Sequence, residues 1–326
     1  MAHHRLHSNS QTVNWGFWDA SVSPTLTIRS GDMVTIDTLS GEHDDLPIGD
    51  HRYTILNDHS QVVEGKTGGP GPHLLTGPIY VEDAEPGDIL EVTINKISLR
   101  QDWGWNLQLP LHGGLPEDFP DTRRIHVPID LKSETVTLPW GQSFKCRPFF
   151  GCMGVAPPLH HGRLSTVEPR EFGGNMDNKE LREGAVIQFP VFVPGALFSV
   201  GDGHALQGDG EACLTAIETS LTGAFTFRLL KQEALSRPRA VTATELITMA
   251  FHEDLDDAAK IALRDMVFLL SSITGLGPQD AYTLCSIAAD LHVTQIVDRN
   301  KGVHCAIKKD DLPGKGKELQ PLFDSN

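Results

Sequence analysis

The sequence predicts an α+β fold, with a β-rich body of hairpins and sheets first and a helical hairpin with closing strands last. A turn followed by a strand-like run recurs at Thr25, Glu85 and Arg182, as TLTIRSGDMVTIDTL, EPGDILEVTINKISL and REGAVIQFPVFV. From Asp254 to Ile273, apolar residues recur at helical spacing. Two further strand-like runs, VTQIV and GVHCAI, come after the helical segment. The strands therefore precede the helices, as α+β proteins arrange them.

The three turn-and-strand motifs are irregularly spaced, which favours related β-hairpin units over a solenoid. Between the first two lies a long segment, Gly41 to Gly77, with little periodicity; long loops inside compact domains are often functional. Further on, ACLTAIETSL and TGAFTFRLLK predict two strands in a hairpin that closes near residues 221–223. At 326 residues the chain could form one large β-rich domain or two ordinary ones.

The C-terminal part is predicted to be a helical hairpin and two strands. Gly275 should end the first helix, and Pro278 can open a second one that runs to about Leu291. The strands then close the fold around the turn from Asp298 to Gly302. We expect the segment from Asp254 to Leu291 to serve packing or oligomer contact and to carry no catalytic group.

Composition excludes several classes of function. A net charge of −16 disfavours nucleic acid and anionic membrane surfaces as partners, and it fits a neutral or cationic small substrate. The five cysteines are scattered without a CxxC pair, so we expect reduced thiols. The N-terminus lacks the apolar core of a secretory signal, and no apolar run approaches the roughly 18 residues of a membrane span. The expected location is the cytoplasm.

The stretch with the most chemistry is VGDGHALQGDGE, Val200 to Glu211, where acids and one imidazole alternate with glycines. Asp202 and His204 are two residues apart, as are Asp209 and Glu211, so each pair points to one side of an extended backbone. Such a loop can present oxygen and nitrogen donors to a metal ion. An inert Gly-Asp turn between strands has the same composition.

Standard catalytic signatures are missing, since the sequence contains no GxSxG elbow and no HExxH helix. Cys152 is the one plausible thiol nucleophile, but its apolar neighbours should raise its pKa. What remains is metal-assisted hydrolysis, in which histidine and carboxylates from several loops bind one divalent ion.

Four segments in this order, GPHLLTGPIYVEDAEPGDILEV, GCMGVAPP, GGNMDNKEL and FSVGDGHALQGDGE, resemble the acetamidase/formamidase family of amide hydrolases. The resemblance runs from about Trp15 to Leu230 and more loosely to the end of the chain. It implies hydrolysis of a short linear amide to its acid and ammonia by a homo-oligomer with a divalent metal, zinc or calcium. It also implies a single domain over residues 1–326, with a β-rich part at 15–235 and an α+β part at 250–310.

The family motifs select eight polar candidates in this chain: His73, Asn175, Asp177, Asp202, His204, Gln207, Asp209 and Glu211. We expect Asp177 and His204 to bind the metal, with His73 as a third ligand; imidazole and carboxylates together suit zinc better than calcium. Glu211 is the candidate for proton transfer, because a following apolar strand would desolvate it and raise its pKa. Asp202 and Gln207 are further catalytic candidates. Asn175 and Asp209 are candidates for substrate binding.

Two alternatives belong to other classes. In the first, the chain is a non-catalytic β-rich protein whose glycine-acid loop holds a structural calcium ion, with its coordination saturated. In the second, the chain is an amidase that uses the Cys152 thiol as its nucleophile.

Overall fold

The structure of the protein is a computed structural model that describes residues 1–231 and 235–313. This part of the chain forms twenty-two β-strands and three α-helices. The strands are β1 (His3–Leu6), β2 (Val13–Trp15), β3 (Phe17–Trp18), β4 (Leu26–Ile28), β5 (Met33–Asp37), β6 (Leu74–Val81), β7 (Ile89–Leu99), β8 (Trp103–Gln108), β9 (Arg123–Asp130), β10 (Thr135–Thr137), β11 (Ser143–Lys145), β12 (Phe149–Gly154), β13 (Leu164–Ser165), β14 (Gly173–Asn175), β15 (Val186–Pro190), β16 (Phe198–Leu206), β17 (Ile217–Glu218), β18 (Leu221–Leu230), β19 (Arg239–Val241), β20 (Glu245–His252), β21 (Ala289–Gln295) and β22 (Lys301–Lys308). The helices are α1 (Asn57–Gly65), α2 (Leu255–Thr274) and α3 (Pro278–Ala288).

Most strands belong to two large sheets. The nine-stranded sheet has the order β1-β5-β18-β7-β15-β19-β20-β22-β21. The eleven-stranded sheet follows the path β11-β10-β9-β8-β17-β16-β12-β14, and β6 joins it by pairing with β16, β2 and β4. The strands thus come mainly before the two long helices, which confirms the predicted α+β class.

The two sheets pack face to face over one apolar core. Val92 on β7 and Phe225 on β18 represent the nine-stranded sheet in this core, and Phe150 on β12 and Phe198 on β16 represent the other. Along β18, buried and half-buried residues alternate, as the two-residue period of a strand requires. The core therefore fixes the inner face of β16, the strand that carries the glycine-acid motif.

The three recurring turns carry the chain from one sheet to the other. Gly31, Gly87 and Gly184 have φ values of 93°, 94° and 90°, a left-handed conformation that glycine adopts without strain. Each turn is followed by a strand of the nine-stranded sheet, namely β5, β7 or β15. The strand before each turn lies in the other sheet, so the prediction of hairpin units was wrong at these positions.

The C-terminal helices form as the apolar period predicts. The Asp254 carboxylate caps α2 by accepting the Asp257 N–H at 3.0 Å, and Gly275 ends the helix with φ of 76°. Ala262 and Met266 are among the buried residues of the face that packs on β20 and β22. Helix α3 ends at Ala288, earlier than predicted, because the next residues pair with β22.

The prediction of one strand over ACLTAIETSL followed by a hairpin was wrong. Residues 212–215 form a turn, and only Ile217–Glu218 pair as a strand, in the eleven-stranded sheet. Strand β18, which begins at Leu221, pairs with β5 and β7 of the other sheet. The chain changes sheets between these two strands, and the change leaves Glu218 facing the cavity described below.

No single helix in the described ranges has the length and apolarity needed to cross a membrane. Helices α2 and α3 reach that composition only as a pair, across a bend of 114°.

Candidate active site

A cavity of about 310 Å³ is lined by strands of the eleven-stranded sheet and by the loops beside them. Its polar floor is formed by two histidines and five acids that come from several strands and loops: His73, Asp177, Asp202, His204, Glu211, Glu218 and Asp298. Its walls are largely apolar and include Leu74, Trp105 and Leu107. The structure thus gathers in one place residues that are far apart in the sequence.

Strand β16 supplies the centre of the floor. Asp202 and His204 are both buried on this strand, with His204 Nε2 at 3.4 Å from Asp202 Oδ2. Strand β12 pairs with one edge of β16, while β6 and β17 share the other edge, where His204 is opposite Glu218. The two side chains meet as expected, although Asp202, with φ of 56°, departs from the extended backbone on which that expectation was based. His73, which directly precedes β6, reaches the same acid with its Nε2 at 3.8 Å from Asp202 Oδ2.

Asp177 follows β14 and is held over the floor by backbone bonds. Its N–H donates to the Gly151 carbonyl at 3.2 Å, and its φ of 51° turns the side chain toward His204, whose Nε2 is 3.9 Å from Asp177 Oδ1. Both carboxylate oxygens of Asp177 are buried without a hydrogen-bond partner among the described residues. Burying a carboxylate without a partner costs free energy, so we expect these oxygens to bind a proton or a cation.

Gln207 determines which nitrogen of His204 faces the acids. The Gln207 side-chain amide donates to the Asp177 carbonyl at 2.8 Å, so its oxygen must be the atom that faces His204 Nδ1 at 2.9 Å. Nδ1 therefore carries a proton, and Nε2 is left to face the carboxylates. Gln207 does not line the cavity. Its two hydrogen bonds orient His204 and the Asp177 backbone, and its expected catalytic role stays a prediction.

Glu218 is a floor residue that the sequence analysis missed. Its Oε1 lies 3.1 Å from His204 Nε2 and accepts the Ala216 N–H at 2.9 Å, while Oε2 accepts the Ser40 hydroxyl at 3.2 Å. The sequence predicts a strand over ACLTAIETSL, which contains Glu218, and this prediction gives the glutamate no role. A single glutamate inside an apolar segment could have indicated a functional site, because a buried carboxylate requires polar partners.

Asp298 is the second missed acid and comes from the turn between β21 and β22. The Gln295 side-chain oxygen accepts the N–H groups of Val297 and Asp298 at 2.9 and 3.1 Å, and its amide donates to Asn300 O at 2.7 Å. This turn places the Asp298 carboxyl in the cavity, with Oδ2 buried and unpaired among the described residues. The C-terminal part therefore contributes to the lining of the cavity through the turn that closes the fold, outside the segment from Asp254 to Leu291 for which no catalytic group is predicted.

Glu211 and Asp209 differ in position although they are two residues apart. Glu211 lines the cavity, and a carboxylate oxygen of Glu211 lies within 4.8 Å of ligand atoms of Asp177 and His204. Asp209 lies outside the cavity lining, 2.8 Å from Lys179 Nζ and 3.6 Å from His292 Nδ1, and its expected contact with substrate stays a prediction. Glu211, with φ of 46°, is turned away from the direction that regular alternation predicts.

Asn175 and Cys152 meet at the edge of the floor. The Asn175 amide donates to Val167 O at 3.2 Å, and its oxygen accepts the Cys152 thiol, with Sγ and Oδ1 3.2 Å apart. Burial, with the nearby charges of Asp202 and Asp177, raises the pKa of the Cys152 thiol well above its ordinary value. The thiol thus remains protonated near neutral pH, which disfavours a cysteine nucleophile.

Several carboxyl groups of the floor have raised pKa values, because the protein supplies too few positive charges to stabilise all of them as anions. Burial, followed by the charge of Asp177, raises the pKa of Glu211 and of Asp298 well above ordinary values. Burial raises the pKa of Glu218 to about 8, although His204 opposes this shift.

Two floor residues stay charged despite their burial. Burial disfavours the anion of Asp202, but His73 and His204 outweigh it and hold the pKa of that carboxyl below its usual range. For His204, burial disfavours the imidazolium, but Glu218 and Asp202 raise its pKa well above 6.5. The floor therefore combines an anion and a cation with several carboxyls that are easily protonated.

Comparison with known proteins places this site in a family. The model of the acetamidase/formamidase family matches residues 3–161 and 159–308, which include every floor residue. The chain belongs to the acetamidase/formamidase family. The resemblance predicted from the four sequence segments is thereby confirmed.

Two curated members of the family are similar to part of the chain. Formamidase from Methylophilus methylotrophus is 32% identical over 190 residues, which are 43% of this chain and 47% of that protein. Acetamidase from Mycolicibacterium smegmatis is 31% identical over 198 residues, 43% of this chain and 48% of that protein. The matched region thus spans about half the length of these relatives.

A solved family structure is similar over nearly the whole chain. Acetamidase from Bacillus halodurans superposes with a TM-score of 0.81 at 29% identity, covering 95% of this chain and all of that one. The two-sheet architecture with C-terminal helices is therefore the family's fold.

Proposed function

We propose that the protein hydrolyses linear, non-peptide amides to a carboxylic acid and ammonia in this cavity. The observation that carries the proposal is the pair of buried, unpaired Asp177 oxygens beside His204 Nε2. The names of the relatives, formamidase and acetamidase, support the same reaction.

The floor fits a divalent cation. Asp177 would hold it with His204 Nε2, which Gln207 leaves facing the acids. A further ligand would be Asp202, whose Oδ2 lies 3.4 Å from that nitrogen, or His73, which lies 3.8 Å from the same oxygen. Gly151 supports this fit, because a Cβ there would collide with Asp202 Oδ2 and Asp177 Oδ1, so the glycine keeps the space between the two acids open. We propose zinc ahead of calcium, since calcium takes oxygen ligands and His204 offers nitrogen. A bound divalent cation would supply Lewis acidity for the amide carbonyl and the reacting water.

Glu211 is the proposed group for proton transfer. Its carboxyl faces the Asp177 and His204 ligand atoms, so it can take a proton from the attacking water and later donate it to the leaving nitrogen. The bond between carbon and nitrogen breaks as this proton arrives, and ammonia leaves. Glu218 is less free for this task, because three groups already hold its two oxygens.

The remaining residues position these groups and the substrate. Asn175 shapes the edge of the floor through its bonds to Val167 and Cys152. Gln207 keeps His204 in the tautomer that presents Nε2. The open cavity of about 310 Å³ supports a catalytic site over a structural ion site, which would saturate its coordination with protein groups.

Two substitutions test the assignment. His204→Ala should lower both bound metal, measured by mass spectrometry of the purified protein, and the release of ammonia from formamide and acetamide. Glu211→Gln should keep the metal and lower turnover by about a hundredfold or more, the range expected for loss of general acid-base catalysis.

A chelator and metal re-addition provide the control. Dialysis against chelator should abolish ammonia release, and zinc should restore it in the wild type and not in Glu211→Gln. If both variants keep full metal and turn over amides at the wild-type rate, the proposed site is wrong.

A further inference from the structure

The cavity is much larger than formamide or acetamide requires. The centre of one water molecule needs roughly 10–15 Å³ of cavity space, so a cavity of about 310 Å³ holds far more than a two-carbon amide and one water. A cation, a reacting water and the amide group at the floor fill only part of this space. The rest lies between the floor and the mouth.

The lining beyond the floor is largely apolar. Leu74, Trp105 and Leu107 form the first wall and belong to one packed cluster, in which each is at most 8% exposed. Val167 and Val297 contribute to the lining elsewhere in the cavity. A wall of packed side chains is already in place before a ligand arrives, so little ordering is needed on binding.

The first wall is held in position by backbone contacts. The Trp105 indole donates to Ser40 O at 3.4 Å, and Gly41 lies so close that a Cβ there would be 3.0 Å from the same indole nitrogen. The indole therefore presents a fixed apolar face. Leu109, half-buried, extends this lining toward the mouth.

The charges at the cavity select against anions. The five acids of the floor are joined by Glu42 and Asp44 at the lining nearer the surface. The two arginines of the lining are already engaged, Arg124 with Asp45 at 2.9 Å and Arg299 with Glu168 at 3.0 Å. An acyl group with a carboxylate would meet Glu42 and Asp44 with no free arginine of the lining to pair with it, whereas an uncharged chain meets the apolar walls.

We propose that the preferred substrates are primary amides with an uncharged, apolar acyl chain longer than the acetyl group, which lies against Trp105, Leu107 and Leu109. This inference rests on the proposed amide hydrolysis and names its substrate class. The amide group occupies the floor, and the chain fills the space toward the mouth.

A series of linear primary amides tests the proposal. The purified metal-loaded protein is assayed for ammonia release from formamide, acetamide, butyramide and hexanamide, and binding of the same amides is measured by calorimetry. Burial of each added methylene should raise kcat/KM by about threefold, so hexanamide should exceed acetamide by at least about tenfold. Succinamic acid, with its carboxylate, should be hydrolysed no better than acetamide.

Variants of the wall sharpen the test. Leu109→Trp fills the space beside the chain and should lower the ratio of hexanamide to acetamide turnover by about tenfold. Val167→Phe repeats the test from another part of the lining. Leu115→Trp is the matched control, because Leu115 is 57% exposed in the same loop and does not line the cavity.

The outcomes separate this inference from the proposed function. If hexanamide binds at least about tenfold more tightly than acetamide but no amide is hydrolysed, the pocket assignment holds and the proposed reaction is wrong. If formamide and acetamide are hydrolysed and hexanamide is bound and hydrolysed no better, the inference is overturned and the reaction stands. An unchanged ratio in both Leu109→Trp and Val167→Phe also overturns it.

Discussion

Individual residues of the site are held in backbone conformations that side chains rarely adopt. Asp177, Asp202, Glu211 and Leu214 all line the cavity and have φ values of 51°, 56°, 46° and 113°. Such conformations cost of order 1 kcal/mol or more each and persist only where the surroundings impose them. All four residues line one cavity, so the fold determines the orientation of their side chains and does so at a cost in local stability.

At Gly151 the constraint is one of space. A Cβ on Gly151 would collide with Asp202 Oδ2 and Asp177 Oδ1 and lie 2.9 Å from His204 Cε1. We predict that Gly151→Ala separates these groups and lowers bound metal and amide turnover by about a hundredfold. Metal content and ammonia release measure this.

The control for Gly151 is a glycine with open space around it. Gly65 has no atom within 4 Å of an added Cβ and lies at the end of α1, so Gly65→Ala should leave both readouts unchanged. If Gly151→Ala binds metal and turns over amides like the wild type, the space between the acids is not used by a cation.

At the scale of elements, the hairpin β21-β22 links the C-terminal part to the site. Gly210 N donates to Thr294 O at 3.0 Å, and Ile296 N donates to Gly210 O at 3.1 Å, so the hairpin is bonded to the loop that carries Glu211. Beside it the His292 ring stacks on His304 with centroids 4.7 Å apart, and His304 Nδ1 lies 2.7 Å from Thr294 Oγ1. The position of Glu211 therefore depends on the packing of this hairpin.

Burial of His304 predicts a dependence of stability on pH. Burial and the neighbouring His292 lower the pKa of His304 to about 3, with Asp209 opposing and Lys179 assisting, whereas the unfolded chain titrates near 6.5. Between pH 6.5 and pH 3 the His304 imidazole of the unfolded chain is protonated, while that of the folded protein is neutral. The free energy of unfolding therefore falls as the pH falls through this range. Between pH 7 and pH 5 this one group should remove about 2 kcal/mol.

Urea unfolding at several pH values measures this loss. His304→Gln should lose about 2 kcal/mol less than the wild type between pH 7 and pH 5. His51→Gln, which changes an exposed histidine, should follow the wild type. Equal pH slopes in wild type and His304→Gln would show that His304 takes up its proton in the folded state.

For the whole molecule, we propose that the chain folds as one domain. The nine-stranded sheet runs without a break from β1 to the C-terminal strands through the pairs β15-β19 and β20-β22. The cavity also needs both parts, since Asp298 comes from the C-terminal part and the other acids of the floor from the β-rich part. Neither part can complete the sheet or the site alone.

The prediction at this scale is a single unfolding transition. All five tryptophans lie at or before position 140, while the two long helices, α2 and α3, lie in the C-terminal part. Tryptophan fluorescence therefore reports on the first part, and circular dichroism at the helix band reports mainly on the second. The two urea midpoints should coincide. Separate midpoints would show two independently stable units.

Local patterns in the sequence were sufficient for the fold class and for α2 with its Asp254 cap and Gly275 end. The family resemblance selected five of the floor residues: His73, Asp177, Asp202, His204 and Glu211. Periodicity, capping and turn chemistry act between neighbours in the chain, so one sequence reveals them. The family motifs then brought the acids and histidines together as candidates. The reason given for Glu211 was partly wrong, because burial in the cavity raises its pKa and no strand follows it directly.

Only the tertiary structure decided the rest of the site. Glu218 and Asp298 enter the floor because the chain changes sheets after β17 and because the β21-β22 turn inserts into the cavity. Gly151 leaves space for the carboxylates of Asp177 and Asp202, which come from two other segments. Asp209 lies outside the cavity lining, beside Lys179 and His292. These outcomes depend on pairings between distant parts of the chain, and no local pattern of residues encodes which distant segments will meet.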